Sequence, residues 1–204
     1  MTYPPEPWYL GGSLLVSVFL VPVKELPDGF TLPDGRRPLR IGRRAIVGTA
    51  FVQYVPGGAL SYDELLVATP SLGSGGLRYT IPQIWVDSAA SRAGGRELWA
   101  IPKELGVFEH SERAASMEGV AAIEVSPGRT LLPGLRQLAL PILQVLDGRR
   151  VLSRNRVIGR LQSLRAAWTF EPGGPLGYLA VRKPVLSVAI RDASIIFGMD
   201  VERS

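Results

Sequence analysis

Glycine and proline punctuate this chain at such regular intervals that many short strands fit it better than a helical bundle. There are 23 Gly and 17 Pro in 204 residues, spread along the sequence and not gathered in a linker. Between them lie short runs rich in Val, Ile and Leu, the pattern of strands bounded by turns. The runs are Ser13–Val23, Ala45–Val55, Leu60–Ala68, Leu77–Val86, Arg96–Ile101, Gly119–Val125, Leu138–Leu146, Val151–Ile158, Leu161–Phe170, Tyr178–Val181 and Val185–Phe197. Turn signals separate most of them, among them Pro27-Asp28-Gly29, Pro33-Asp34-Gly35, Pro56-Gly57-Gly58 and Pro172-Gly173-Gly174. Asp147-Gly148 between two apolar runs is a hairpin signature. Helical signals are sparse. Ala89–Ala93 reads as a short helical turn, and Pro133 and Pro141 interrupt the helical periodicity of Leu132–Leu146. The expected class is mainly β, an antiparallel barrel or sandwich, with residues 1–204 forming one domain.

Composition removes several chemistries. Cysteine is absent, which excludes disulfides, thiol catalysis and Cys-based metal sites. The single histidine, His110, excludes multi-histidine metal sites and sits in the polar stretch Glu109–Arg113, where it reads as a solvated residue. Acid–base work would fall to carboxylates, lysine, arginine or tyrosine. The apolar run Ser13–Val23 has no preceding basic segment and is too short to span a bilayer, so it reads as a strand and the chain as soluble and cytoplasmic. The net charge is +5, and only Lys24, Lys103 and Lys183 among the 23 basic residues are lysines. That scarcity makes a lysine in apolar company easy to single out.

Lys103 is such a lysine. It lies in Gly94–Gly106 among Trp99, Ile101, Pro102 and Leu105. Desolvation there should lower its pKa and free an amine able to attack a carbonyl. From a reference value near 10.4, only about one lysine in 2,500 is neutral at neutral pH, and making most of it neutral takes roughly 5 kcal/mol of differential interaction. Glu104 opposes this unless it faces away, as the neighbour in an extended segment does. Trp99 and Ile101 share parity with Lys103 and are candidates for the pocket wall, together with Trp85.

The segment Gly95-Arg96-Glu97-Leu98-Trp99-Ala100-Ile101-Pro102-Lys103 resembles the active-site motif of the acetoacetate decarboxylase family, in which Gly-Arg-Glu and a Pro precede a Schiff-base lysine. A Tyr-x-Glu element agrees: Tyr62-Asp63-Glu64 places Glu64 39 residues before Lys103. The resemblance implies a closed antiparallel β-barrel of that family's type, a homo-oligomer, and no cofactor of any kind. It further implies a β-keto acid substrate, decarboxylated through an imine on Lys103, with Glu64 as its catalytic partner. Aldol condensation or dehydration on the same lysine is the alternative, since divergent members of the family perform it. The chain departs from the pattern twice. Glu104 stands where decarboxylases have a second lysine, and Gly11 or Gly12 where they have an arginine holding the substrate carboxylate. Arg96 or Arg78 would have to substitute.

Other features read more plainly. Arg96 and Glu97 suit a structural ion pair. Gly73–Gly76 is a turn, because neither Gly-Lys-Ser/Thr nor a helix follows it. The arginines of the 149–165 stretch would suit nucleic acid, but few aromatic residues sit among them to stack bases, so that partner is not expected. A barrel that carries a small apolar ligand without catalysis is the remaining class.

Overall fold

Period-two alternation in the long strands buries both of their faces, and this organises the molecule. The computed structural model describes residues 2–28, 30–33 and 35–204. The turns expected at Pro27–Gly29 and Pro33–Gly35 include Gly29 and Asp34, which lie outside those residues. The strands are β1 (Trp8–Pro22), β2 (Arg37–Pro38), β3 (Arg40–Ile41), β4 (Arg44–Val55), β5 (Tyr62–Gly73), β6 (Gly76–Val86) and β7 (Lys103–Leu105). They continue with β8 (Phe108–His110), β9 (Ala114–Met117), β10 (Ala121–Thr130), β11 (Arg136–Leu146), β12 (Arg149–Phe170) and β13 (Leu186–Arg203). Among the described residues the one α-helix is α1, Ala89–Trp99. Among the described residues no helix is long and apolar enough to cross a membrane.

All thirteen described strands join one sheet, ten of them in the order β11-β6-β5-β4-β1-β13-β12-β10-β9-β8, with β2 beside β5, β3 beside β4 and β7 beside β6. β11 pairs along its whole length with β12, and meets β6 through one parallel bridge, Ile142 to Tyr79. The sheet therefore curls until its ends touch, but the hydrogen-bonded ladder does not run all the way round. This corrects the closed antiparallel barrel: the seam lacks a ladder, and β6 also pairs in parallel with β7. Side chains bridge the seam. Thr80 Oγ1 donates to the Leu143 carbonyl at 3.1 Å, and Gln144 Nε2 donates to the Ile81 carbonyl at 2.9 Å.

Two cores result. On β1, Leu15, Phe19 and Val21 face one core, while Leu14, Val16 and Val18 face the other side of the sheet. The first core is built on aromatic rings. Trp168 stacks on Phe170 at 5.2 Å and on Phe51 at 5.5 Å, and its Nε1 donates to Ser17 Oγ at 2.8 Å. Fully buried Leu176 and Leu179 pack into it from the loop between β12 and β13. The second core surrounds the cavity described below.

The expected strands are largely present, with three differences. Asp147 (φ 52°) and Gly148 (φ 78°) form the expected hairpin turn. Val151–Ile158 and Leu161–Phe170 are one strand, because Gly159-Arg160 marks a bulge against β13 and not a break. A Cβ on Gly159 would lie 2.5 Å from Ile190 Cγ2, so only glycine lets the two strands approach there. Arg96–Ile101 is not a strand but the end of α1 and the turn after it. Ser88 caps that helix, accepting from the Ser91 amide at 3.2 Å, and Ala-rich sequence propagates it. Tyr178–Val181 is also no strand. Its first two residues belong to a 3-10 turn, Gly177–Leu179, and Leu176 and Leu179 on either side of Tyr178 are both fully buried.

Candidate active site

Helix α1 delivers Lys103 to its place. Ser91, Gly95 and Trp99 recur at four-residue spacing on one face, and all three are buried. The helix ends at Ala100 in the left-handed conformation (φ 54°), with the Ile101 amide donating to the Gly95 carbonyl at 3.0 Å. The chain then enters β7, where Lys103 pairs with Ile84 and Glu104 with Trp85. Lys103 thus points to the cavity side beside Ile84, and Glu104 to the outside. Its aliphatic stem lies over Gly95, where a Cβ would be 2.7 Å from Lys103 Cδ. Gly94 leaves similar room for Trp8, whose Cζ2 would lie 2.5 Å from a Cβ there. The two glycines are packing surfaces within the helix.

Gly95→Ala is expected to push the lysine stem aside while improving local helix propensity. Such a variant should keep the far-ultraviolet circular dichroism of the parent. Its rate of covalent trapping at Lys103 should fall on the order of ten-fold or more, as for a reacting group misplaced by about 1 Å.

Opposite Lys103, β5 presents Tyr62 and Glu64 and β4 presents Tyr54. Lys103 Nζ donates to Glu64 Oε2 at 2.8 Å, to Ser91 Oγ at 2.9 Å and to Tyr62 Oη at 3.3 Å. Three acceptors match the three protons of an ammonium group. Tyr54 Oη donates to Glu64 Oε1 at 3.2 Å, so the carboxylate is held from both sides. Lys103 and Glu64 are 4% and 3% exposed. Burial pushes the lysine pKa down, but the Glu64 carboxylate and the Tyr62 hydroxyl more than offset it, and the net direction is upward. This corrects the expectation from sequence: the resting amine keeps its proton because its neighbour is an acid, not only apolar wall. Burial, with Glu64 adding to it, raises the Tyr54 and Tyr62 phenols, which stay protonated donors.

This polar cluster closes one end of a cavity of about 400 Å³. Of the residues singled out from sequence, Lys103, Glu64, Trp99 and Ile101 line it, and Trp85 and Arg96 do not. Trp85 lies on the other face of the sheet and packs against the aromatic core, a consequence of its pairing with Glu104. Arg96 turns outward, donating to Glu104 Oε1 at 2.9 Å and to the Lys103 carbonyl at 3.3 Å. Its ion-pair partner is therefore Glu104 and not Glu97, which accepts from Tyr3 at 2.6 Å. Arg78 is not on the cavity wall either, and its Nη1 donates to the neighbouring Leu77 carbonyl at 2.9 Å. No side chain fits at Gly12, where a Cβ would be 2.0 Å from the Gln53 carbonyl oxygen. Among the described residues no group of three or more His, Asp or Glu is placed to hold a metal.

Sequence reasoning missed Tyr54 and Ser91, and used Tyr62 only as context for Glu64. Ser91 carried a signal, its four-residue spacing from Gly95 once a helix is recognised. Tyr54 carried none locally; it reaches Glu64 because β4 and β5 pair Tyr54 with Tyr62.

The chain matches the family model of acetoacetate decarboxylase over residues 26–151, more than half its length and including both Glu64 and Lys103. No curated protein matches it in sequence. Solved structures share its fold. The enduracididine biosynthesis enzyme MppR in complex with pyruvate superposes with a TM-score of 0.71 at 18% identity, covering 100% of this chain and 91% of that one. A structure described as an acetoacetate decarboxylase gives 0.69 at 18% identity, covering 99% and 91%. The acetoacetate decarboxylase of Legionella pneumophila gives 0.66 at 17% identity, covering 97% and 86%. The sequence match over residues 26–151 spans both Glu64 and Lys103, and the shared fold agrees with it: the chain belongs to the acetoacetate decarboxylase family.

Proposed function

We propose that this protein is a carbon–carbon lyase of the Schiff-base type, with Lys103 as the amine that condenses with a carbonyl substrate. The observation that carries the reading is a buried lysine at the closed end of a cavity, 2.8 Å from a buried carboxylate. Passing one proton along that hydrogen bond from Nζ to Glu64 Oε2 yields a neutral amine and a neutral acid. The net charge of the cluster is unchanged, so a low-dielectric site does not oppose the transfer. The amine lone pair then attacks the carbonyl carbon. One of the amine protons passes to that oxygen to give the carbinolamine, whose hydroxyl leaves as water with the proton from Glu64, and the resulting iminium faces the Glu64 carboxylate as its counter-ion. Ser91 and Tyr62 are placed to hold the oxygen as it departs.

In decarboxylation of a β-keto acid, the electrons of the breaking C–C bond flow into the iminium and carbon dioxide leaves. Protonation of the enamine carbon and hydrolysis then restore the lysine. Aldol condensation or dehydration uses the same iminium and enamine without a departing carboxylate. One observation favours this second reading: among the described residues Lys103 is the only cationic side chain lining the cavity, and it is already paired.

Borohydride reduction in the presence of a carbonyl panel, followed by intact mass and peptide mapping, tests the proposal. With three lysines in the chain, an adduct on Lys103 is distinguishable at once from one on Lys24 or Lys183. Failure of every carbonyl to label Lys103 would refute imine chemistry. Carbon dioxide evolution from acetoacetate against condensation of a ketone with an aldehyde separates the two reactions.

A further inference from the structure

The charged side chains of the cavity wall, Lys103 and Glu64, gather at one end. Register between β1, β4 and β5 sets its wall in rows: Leu14–Val52–Glu64 nearest the amine, then Val16–Ala50–Leu66, then Val18–Gly48–Ala68. Four residues of strand separate Glu64 from Ala68, about 13 Å of wall. Along it the residues become smaller, so the volume far from the amine is left open by Ala50, Gly48 and Ala68. Across the cavity, Leu138, Leu140 and Ile142 of β11 continue the apolar lining. Lys103 and Glu64 are the only oppositely charged groups among the lining residues, and they neutralise each other. A ligand carboxylate would therefore enter without a free cation to meet it, which is strongly unfavourable in an apolar site. A four-carbon acid would also leave most of about 400 Å³ unfilled.

We infer that this cavity selects an uncharged ketone or aldehyde carrying an extended apolar tail, with the carbonyl at Lys103 and the tail running past Leu66 to Gly48 and Ala68. The inference rests on the imine reading for the position of the carbonyl, and on the cavity alone for the tail. Each methylene buried against such a wall contributes roughly three- to four-fold in affinity. Methyl nonyl ketone is accordingly expected to be trapped on Lys103 at concentrations on the order of a hundred-fold or more below those needed for acetone. Acetoacetate should be trapped no better than acetone.

The experiment measures borohydride trapping of the full chain with acetone, methyl nonyl ketone and acetoacetate, and in parallel calorimetric binding of the same ketones without borohydride. Ala68→Leu and Gly48→Val fill the far end. Gly48 has room for a side chain, since a Cβ there meets only the Ala68 carbonyl oxygen, at 3.5 Å. Each variant is expected to reduce the preference for the long ketone over acetone at least ten-fold, and the pair guards against one of them failing to fold. Preferential trapping of acetoacetate would overturn the inference and leave imine chemistry standing. Tail-dependent binding without any adduct would sustain the ligand class and remove the imine reading. Absence of both binding and adducts would overturn both.

Discussion

Lys103→Arg should eliminate every borohydride adduct while leaving a folded protein. A guanidinium stays protonated throughout the accessible pH range and has no lone pair to offer a carbonyl, so the loss is complete and not partial. Its charge still faces Glu64, which keeps the buried pair intact. The cost is steric, because Gly95 already lies against the stem of the native lysine, and overpacking of this kind typically costs about 1–3 kcal/mol. Lys103→Met should behave differently. It too is unreactive, but it strands the Glu64 carboxylate at 3% exposure with no cation, a change that costs about 3–5 kcal/mol in buried pairs. Intact-mass trapping and urea denaturation of the two variants side by side separate nucleophile from counter-ion. An adduct on the arginine variant would place the reactive amine elsewhere.

Glu64→Gln is expected to reverse the dependence of stability on alkaline pH. In the native protein Lys103 titrates above its ordinary 10.5. Its contribution to stability is therefore complete below that value and is lost as pH rises through the folded pKa. Without the carboxylate, burial becomes the dominant influence and drives the folded pKa below the unfolded one. The unfolded chain then binds the proton more readily between the two values, and stability rises with pH across that window up to about 10.5. At neutral pH the variant should be about 3–5 kcal/mol less stable, the usual cost of breaking one side of a buried pair. Urea midpoints taken between neutral pH and about pH 10 read the slope directly. Parallel slopes for parent and variant would show that Glu64 does not set the charge state of Lys103.

The legible part of this molecule was its alternation and its turns. Runs such as Ala45–Val55 announce strands because β-branched residues repeat between glycines, and Asp147-Gly148 announces a hairpin because both residues accept positive φ. The Lys103 segment was recognisable as a motif, yet its conformation was misread. Trp99 and Ile101 share parity with Lys103, but they line the cavity because a helix ends between them and not because a strand alternates. The helix reaches past Ala93 through Gly94 and Gly95, and the packing of Trp8 and Lys103 shows why it carries them. The charge state was beyond the segment altogether. Lys103 has apolar sequence neighbours, whereas Glu64, Tyr62 and Ser91 arrive through strand register and a helix face. Arg96 was misplaced for a related reason. It lies one residue past Gly95, and that single helical step turns it away from the cavity.

The seam between β6 and β11 bears on how such a protein diversifies. Elsewhere the spacing of hydrogen-bonded strands, about 4.8 Å, fixes the girth of the cavity. At the seam one backbone bridge and two side-chain bonds, from Thr80 and Gln144, hold the edges together. Single substitutions can remove or lengthen those fastenings one at a time without unpicking a ladder. Tyr79 and Ile142, the bridge itself, also line the cavity. Descendants of this chain can thus retune the bore for bulkier or slimmer guests at one hinge line, while the lysine on β7 and its acid on β5 stay anchored by their own pairing with β6.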